Sequence, residues 1–262
     1  MNKVLDTPET AVAAVTDGQT IAVGGFGLCG MPAALLEALL DSGATDLHII
    51  TNNCGPANSA VTALLRARRV AHVTASYIGD NPVFLTQYLQ GSLRVDLVPQ
   101  GTLAEKLRAG GSGIPAFYTP TGVGTAVANG GIPVRYTREG EVAEYSAARQ
   151  VDTVDGRPCL LEHSLTADIA LIRAEIADTL GNLRFHASAR NFNPLCARAA
   201  RVAVAEVVHV VDAGLIAADD IHLPEVFVSG VVELKGKMHK PIERLRTVCP
   251  PDSRAVVGSG VA

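Results

Sequence analysis

A glycine-rich bend between a short apolar strand and a helix is the feature that most constrains the fold of this chain. Residues 17–32 read D-G-Q-T-I-A-V-G-G-F-G-L-C-G-M-P, and four glycines fall within seven residues: Gly24, Gly25, Gly27 and Gly30. Glycine has no Cβ, so it permits positive φ and close approach of a ligand to the backbone. Pro32 suits the first turn of a helix. The simplest interpretation is a tight βα turn without a ligand, and the alternative is a turn whose N–H groups face an anion.

Apolar stretches and helical periodicity alternate through the first half of the chain. The predicted strands cover residues 20–23, 47–51, 70–75 and 93–98, and the predicted helices cover residues 31–41, 59–69, 82–89 and 103–109. Thr102 and Glu105 have the spacing of a capping box, which predicts the start of the last helix. Alternation of this kind is typical of βαβ units. We therefore predict an α/β fold, an open and mostly parallel sheet with helices on both faces.

The pattern changes after Gly110, where glycine and proline become frequent. Hairpins are predicted at residues 132–145 and, around an Asp155-Gly156 pair that favours a type I′ turn, at residues 151–161. Further predicted elements are strands at 169–174, 183–185 and 202–211 and a short helix at 194–200. We expect one domain over residues 1–246, with an α/β part at about 1–112, a smaller β-rich part at about 113–246, and a C-terminal tail at 247–262.

Charge and hydropathy argue against several classes of function. The formal net charge is −4 and the pI is about 6.0, so neither nucleic acid nor an anionic membrane is expected as a partner. No apolar run approaches the ~20 residues that a membrane span requires. The first six residues lack the apolar core of a signal peptide, so we expect a cytoplasmic protein.

Cysteine and histidine spacing gives no metal or disulfide signature. The five cysteines are scattered and form no C-x-x-C pair, and the seven histidines form neither an H-x-H nor an H-E-x-x-H motif. We therefore expect no metal site. Cys29 and Cys54, which lie near the glycine-rich bend and the next strand end, are interpreted as small buried thiols.

Polar groups follow each of the four predicted strands of the first half. The bend at Gly24–Gly27 follows the first strand, and the other strand ends carry Asn52 and Asn53, Ser76 and Tyr77, and Gln100. Ligands of open parallel sheets bind outside the carboxyl ends of the strands, so these groups are expected along one edge. Each could instead shape a turn or satisfy a helix end. Together they predict a binding edge lined with hydrogen-bond donors, which can orient a developing negative charge but supplies no strong nucleophile.

Several blocks of the chain resemble one enzyme family. The blocks are the D-G-x-x, G-G-F and G-x-P pattern of residues 17–32, N-N at 52–53, P-Q-G-T at 99–102, G-I-P-A-F-Y at 113–118 and S-A-R-N-F-N at 188–193. They are similar to blocks of the A subunits of family I coenzyme A transferases, in particular the succinyl-CoA:3-ketoacid CoA transferases. The resemblance extends from about residue 17 to residue 246, nearly the full chain.

The resemblance implies a reaction and a partner. In that family a glutamate of a Ser-Glu-Asn-Gly motif attacks the thioester and becomes a glutamyl-CoA thioester, in a ping-pong mechanism. No glutamate of this chain is followed by Asn-Gly. The resemblance therefore implies no catalytic residue in this chain, a nucleophile on a separate B subunit, and an α2β2 heterotetramer. Coenzyme A would be a substrate, and no cofactor is expected.

The resemblance also implies roles for individual residues. Gln100 would line the active site near the catalytic glutamate, Asn52 and Asn53 would lie beside the substrate, and the G-G-F-G loop would form the mouth of the cleft. The expected substrate- and CoA-binding residues are Gly24, Gly25, Phe26, Gly27, Gly30, Asn52, Asn53, Ser76 and Gln100. The block at 188–193 has no assigned role. The basic segment at 235–240 is interpreted as a solvated loop, with a patch for CoA phosphates as the alternative.

Three other functions compete with that of a succinyl-CoA:3-oxoacid enzyme. A 3-oxoadipate CoA transferase carries the same G-G-F motif in its A subunit, and the sequence does not rank the two acids. A non-catalytic metabolite sensor would equally lack an internal nucleophile. A dinucleotide-binding oxidoreductase would explain the G-x-G-x-x-G of residues 25–30, but the next strand ends at Asn52 and not at the acidic residue that this site requires.

Overall fold

The computed structural model of the chain describes residues 2–234. Two features predicted from the sequence, the basic segment at 235–240 and the tail at 247–262, lie outside the described residues.

The described residues form strands and helices in the following order. The strands are β1 (Val4–Leu5), β2 (Thr20–Val23), β3 (Leu47–Thr51), β4 (Val70–Ala75), β5 (Arg94–Leu97), β6 (Ala116–Thr119), β7 (Pro133–Tyr136), β8 (Val142–Tyr145), β9 (Val151–Val154), β10 (Arg157–His163), β11 (Ala167–Asp178), β12 (Leu183–Arg184), β13 (Ala200–Val211) and β14 (Gly230–Glu233). The helices are α1 (Pro8–Val12), α2 (Ala33–Ser42), α3 (Ala60–Arg66), α4 (Pro82–Leu89), α5 (Gln100–Gly110), α6 (Ala126–Asn129) and α7 (Asn193–Ala199).

One large sheet organises the molecule. Its strand order is β1-β14-β13-β11-β2-β3-β4-β5, and each neighbouring pair in this order is parallel. Strand β12 adds an antiparallel pairing to β11. After β1, the chain enters the middle of the sheet at β2, runs outward to β5, and then returns to the other side of β2 as β11. The direction of strand progression therefore reverses between β2 and β11, which makes this the topological switch point of the sheet.

The second half of the chain differs from the sequence-based expectation of a β-rich part at 113–246. Strands β11, β13 and β14 belong to the main sheet, and only the residues between α5 and β11 form separate antiparallel sheets, β6-β10-β9 and β7-β8. The reason is burial: β11 is buried on both faces along most of its length. A strand that is apolar on both faces needs cover on both sides, which a parallel sheet between helices provides.

Helices cover both faces of the sheet, as predicted. Ile21 and Ala22 are consecutive in β2 and point to opposite faces, each into a different core. The core on the Ile21 side includes residues of α1 to α4, and the core on the Ala22 side includes residues of α5 and α7. The alternation of side chains along a strand gives each face its own apolar layer.

Two local predictions about helix and hairpin ends have different outcomes. Helix α5 begins at Gln100 and not near residue 103, so Thr102 is a buried residue of the first turn, and the N-cap position is held by Pro99 without a side-chain hydrogen bond. The capping box is therefore wrong. The Asp155-Gly156 turn has φ values of 49° and 74°, which agree with the predicted type I′ turn between β9 and β10.

A buried ion cluster joins the small three-stranded sheet to helix α5. The side chain of Glu162, on β10, is 2% exposed. Its Oε2 atom lies 2.7 Å from Lys106 Nζ on α5, and its Oε1 atom lies 2.7 Å from Arg149 Nη1. Lys106 also donates to the backbone carbonyl of His163 at 2.7 Å. One carboxylate thus neutralises two cations at the junction between the two parts of the molecule.

The helices are too short or too polar to cross a bilayer. No helix between residues 2 and 234 combines the length and the apolar character that a membrane span requires.

Candidate functional site

The carboxyl ends of β2 to β5 lie side by side and carry the predicted polar groups. Gly24 follows β2, Asn52 follows β3, Ser76 follows β4, and Gln100 begins the helix after β5. The backbone N–H of Ser76 donates to the carbonyl of Asn52 at 3.0 Å, and Asn53 and Tyr77 form an isolated parallel bridge. Strand pairing therefore continues past the strand ends and fixes these groups along one edge of the sheet.

Asn52 links three of these strand ends through one oxygen atom. Its side chain is buried, and its Oδ1 atom accepts hydrogen bonds from Gln100 Nε2 at 2.7 Å and from Ser76 Oγ at 2.9 Å. Two donors at Oδ1 fix the orientation of the amide. Its Nδ2 atom is buried and has no hydrogen-bond partner among the described residues. Gln100 itself is exposed, so Asn52 holds an exposed amide in a defined position.

Asn53 has a different environment from its neighbour. It is partly exposed, and its Oδ1 atom accepts a hydrogen bond from the backbone N–H of Gly55 at 2.9 Å. This is the local bond of an asparagine turn. Asn53 therefore shapes the loop after β3 through its side-chain oxygen.

A cavity of about 230 Å³ opens at this edge. Gly27, Asn53, Tyr77 and Asp80 are among its lining residues, together with Gly55, Pro56, Ile78 and Gly79. The rings of Phe26 and Tyr77 are exposed by 49% and 60%, which is unusual for large aromatic side chains. The cavity brings the glycine-rich bend and Asn53 together. Sequence reasoning did not single out Asp80, because its Gly-Asp-Asn context is that of an ordinary loop.

The glycine-rich bend is a tight reverse turn with unpaired donors. Phe26 and Cys29 exchange backbone hydrogen bonds of 2.9 and 3.0 Å, and Gly25 and Gly27 adopt positive φ values of 110° and 59°. Among the described residues, no acceptor pairs with the backbone N–H of Gly25 or of Gly27. Gly25 is buried, and Gly27 is partly exposed. A buried N–H without an acceptor costs free energy, so these groups are suited to a ligand oxygen.

The N-terminus of α2, by contrast, is satisfied from within the protein. The Oε2 atom of Glu206, on β13, accepts a hydrogen bond from the backbone N–H of Leu35 at 3.0 Å. Burial raises the pKa of the Glu206 carboxyl to about 7, although the N–H of Leu35 and the charge of Arg173 act in the opposite direction. The N–H groups of this helix end therefore face a protein carboxylate and not a ligand. Sequence reasoning missed Glu206, and the available signal was a single glutamate within the apolar run of residues 202–211.

Replacement of Glu206 by glutamine is expected to change how stability depends on pH. A carboxyl with a pKa of about 7 when folded and 4.5 when unfolded binds more protons in the folded state between these values, so stability falls as pH rises through this window. The glutamine side chain would keep an acceptor for Leu35 but would not titrate. Relative to Glu206→Gln, the wild-type protein should therefore lose about 2 to 3 kcal/mol between pH 5 and pH 7.5.

Urea denaturation at a series of pH values measures this difference. Glu141→Gln, at an exposed hairpin position, serves as the control and should run parallel to the wild type. A constant free-energy difference between wild type and Glu206→Gln across the series would contradict the assignment.

The thiols near the edge do not contribute a nucleophile. Burial raises the pKa of Cys54 to about 12, so it is not ionised at neutral pH. Cys29 is buried, with its Sγ atom 3.5 Å from Ser188 Oγ. Within residues 2–234 no group of three or more histidine, cysteine, aspartate or glutamate side chains is arranged to hold a metal ion. The row of strand ends is therefore built from amides, hydroxyls and backbone N–H groups.

Comparison with protein-family models assigns residues 5–234 to the family described as coenzyme A transferase. A curated relative from Mycobacterium tuberculosis, named as the A subunit of a probable succinyl-CoA:3-ketoacid coenzyme A transferase, is 50% identical over 244 residues, which are 93% of this chain and 98% of the relative. The A subunit of the enzyme with that name from Helicobacter pylori is 45% identical, over 94% of this chain and 98% of its own length. The mitochondrial enzyme 2A of Mus musculus is 47% identical, and the aligned part is 48% of that longer protein.

Solved structures share the fold at lower sequence identity. An acyl-CoA transferase from Escherichia coli superposes with a TM-score of 0.76 at 21% identity, over 88% of this chain and 47% of that one. Glutaconate coenzyme A-transferase from Acidaminococcus fermentans gives a TM-score of 0.74 at 20% identity, over 88% of this chain and 75% of that one.

Proposed function

This chain belongs to the coenzyme A transferase family, within which it is an A subunit, and we propose that it acts with a separate B subunit to move coenzyme A from succinyl-CoA to a 3-oxo acid such as acetoacetate. The observation that carries the proposal is an edge with unpaired donors and no activated nucleophile beside them. The amide of Gln100 is fixed by Asn52, and the N–H groups of Gly25 and Gly27 are unpaired among the described residues.

The proposed reaction divides between the two chains. A glutamate carried by the B subunit is the nucleophile that attacks the thioester carbonyl of succinyl-CoA, the C–S bond breaks, and a mixed anhydride and the CoA thiolate form. The thiolate then attacks the glutamyl carbonyl and releases succinate, which leaves a glutamyl-CoA thioester. The 3-oxo acid repeats the two steps in reverse order and departs as its CoA thioester. The number of thioester bonds is the same before and after the reaction, so no cofactor is required.

The donors of this chain would stabilise the oxyanions of these steps. Each attack on a carbonyl places negative charge on its oxygen atom, and preorganised N–H groups stabilise that charge without reorganisation. The N–H of Gly27, which is partly exposed, and the amide of Gln100 are suited to this role. Asn52 and Ser76 act behind Gln100 as its supports.

The cavity lining favours a short monocarboxylate acceptor over 3-oxoadipate. A second carboxylate at the far end of the acid requires a cationic partner, and the lining contains no lysine or arginine within the described residues. The lining instead contributes the carboxylate of Asp80, which would repel a dicarboxylate. The names of the relatives point to the same class of acid.

An acceptor screen tests the substrate assignment. The complex of the chain and its B subunit is purified and supplied with succinyl-CoA and either acetoacetate or 3-oxoadipate, and formation of the new thioester is followed. We expect kcat/KM for acetoacetate to exceed that for 3-oxoadipate by at least about 10-fold, which corresponds to one unfavourable charge contact. A preference for 3-oxoadipate would overturn the substrate assignment. Absence of transfer to any carboxylate would favour the metabolite sensor.

Replacement of Gln100 by alanine is expected to slow transfer without abolishing it. The variant loses one oriented donor but keeps the nucleophile of the B subunit, so kcat/KM should fall by about 10- to 100-fold. Steady-state kinetics of the complex measure the change. Gln90→Ala, at another exposed glutamine at the end of α4, is the matched control and should behave as the wild type. Unchanged kinetics of Gln100→Ala would reduce Gln100 to a structural residue.

A further inference from the structure

Asn193 is a fully buried side chain beside the glycine-rich bend and is the first residue of α7. Its Oδ1 atom accepts a hydrogen bond from the backbone N–H of Arg173 on β11 at 2.9 Å. Its Nδ2 atom donates to the carbonyl oxygens of Gly30 at 3.0 Å and Ala189 at 2.8 Å. The amide therefore uses its acceptor and both donors inside the protein and joins β11, α7 and the bend.

The position of Asn193 is explained by the end of strand β2. The N–H of Gly24 makes the last ladder bond between β2 and β11, to the carbonyl of Leu171 at 3.0 Å. Two residues further along β11, the N–H of Arg173 would need the next carbonyl of β2, but the chain has already turned away at Gly25. Asn193 Oδ1 takes the place of that carbonyl. The bend can leave the sheet because a side chain completes the ladder.

Two glycines of the bend are required by this side chain. A Cβ atom on Gly24 would lie 1.9 Å from Asn193 Oδ1 and 2.6 Å from its Cγ atom. A Cβ atom on Gly30 would lie 2.8 Å from Asn193 Nδ2 and 2.8 Å from the carbonyl oxygen of Ala189. Gly24 does not have a positive φ, so its lack of a side chain is explained by contact with Asn193 and not by backbone conformation.

Neighbours of Asn193 in the 188–193 block hold the middle of the bend. Asn191 Nδ2 donates to the carbonyl of Cys29 at 3.1 Å, and Ser188 Oγ lies 3.5 Å from Cys29 Sγ. The block therefore contacts the bend at Gly24, Cys29 and Gly30, on both sides of the turn at Gly27. These contacts leave the turn little freedom to move relative to the sheet.

We infer that Asn193 is a positioning residue that fixes the glycine-rich bend, and with it the N–H group of Gly27, relative to the polar strand ends. Its effect on catalysis rests on the proposed function of the bend as an oxyanion-binding loop. Its effect on the conformation of the bend does not. The two effects are measured separately, so that failure of one is distinguishable from failure of the other.

Alkylation of Cys29 reports the conformation of the bend without any enzymatic assay. The full chain is treated with iodoacetamide, and modification of each cysteine peptide is quantified by mass spectrometry. In Asn193→Ala we expect Cys29 to react about 10-fold faster or more, because its loop opens locally. Cys54 and Cys196, which are fully buried elsewhere, should stay as protected as in the wild type and so exclude global unfolding. An unchanged rate at Cys29 would overturn the inference.

A double-mutant cycle in the complex with the B subunit tests the contact with Gly24. Gly24→Ala alone should lower kcat/KM by about 100-fold, the effect of misplacing a catalytic group by about 1 Å. In the Asn193→Ala background, where the clashing atoms are gone, the same change should cost less than about 3-fold. Equal costs in the two backgrounds would overturn the role of the contact. Inactivity of the wild-type complex would refute the proposed function and leave the alkylation result standing.

Two further variants complete the test. Asn129→Ala, at an exposed asparagine at the end of α6, is the matched control and should change neither readout. If Asn193→Ala does not fold, Asn191→Ala replaces it, because Asn191 is only partly buried and loses a single bond to Cys29. We expect a several-fold faster alkylation of Cys29 in that variant, and a wild-type rate would contradict the inference.

Discussion

The chain on its own is expected to transfer no coenzyme A, and addition of the B subunit is expected to restore transfer by a factor of at least about 10⁴, the scale on which loss of a nucleophile acts. The physical reason is the chemistry of the edge. Asn52, Ser76 and Gln100 offer amides and a hydroxyl, none of which attacks a thioester without activation. Glu206, whose pKa is raised to about 7, is 1% exposed and bound to the end of α2, out of reach of a substrate.

The measurement compares three preparations with succinyl-CoA and acetoacetate: the chain alone, the chain with the B subunit, and the chain with a B subunit whose Ser-Glu-Asn-Gly glutamate is replaced by glutamine. Only the second should be active. The third controls for stabilisation of the chain by its partner without chemistry. Transfer by the chain alone would refute the divided site and make Asp80, the carboxylate of the cavity, the first candidate nucleophile.

Replacement of Glu162 by glutamine is expected to be strongly destabilising. The variant keeps the shape of the side chain but leaves Lys106, which is 10% exposed, and Arg149 without their shared counter-charge. Removal of one member of a buried ion pair typically costs about 3 to 5 kcal/mol, since the remaining charge stays desolvated. We therefore expect a loss of about 3 kcal/mol or more and a fall in Tm of roughly 10 °C.

A pair on the surface of the same helix provides the control. Glu105 and Arg108 on α5 form an exposed ion pair at 2.6 Å, so Glu105→Gln should cost less than about 0.5 kcal/mol. Chemical denaturation of the two variants gives both values under one set of conditions. Similar losses for Glu162→Gln and Glu105→Gln would show that the cluster is not desolvated as the structure indicates.

Much of the secondary structure was predictable because its signals are local. Strands β2, β3 and β4 occupy the predicted residues, and α4 begins and ends where the pattern placed it. Buried parallel strands are short apolar runs, and glycine and proline mark the bends between them. The predicted start of α5 was wrong because a plausible capping box at Thr102 competed with the actual start at Gln100, after Pro99.

The candidate site was predictable in membership but not in mechanism. Gln100, Asn52 and Ser76 meet through one oxygen atom, as the regular strand ends led us to expect. Roles in substrate binding for these residues and for the bend remain predictions. Asn193 was within a conspicuous block of the sequence, yet nothing in the block indicates that it contacts Gly24, which lies far away along the chain.

The sequence by itself determined the alternation of strands and helices, the glycine-rich bend, and the absence of a Glu-Asn-Gly motif, because each depends on residues close together in the chain. Only the tertiary structure decided that β11 returns to lie beside β2, that Glu206 caps α2, and that Asn193 completes the ladder where β2 ends. These contacts join residues more than a hundred positions apart or depend on how the strands stack. Their free energy comes from burial and hydrogen bonding in the folded chain, and spacing along the sequence carries no record of it.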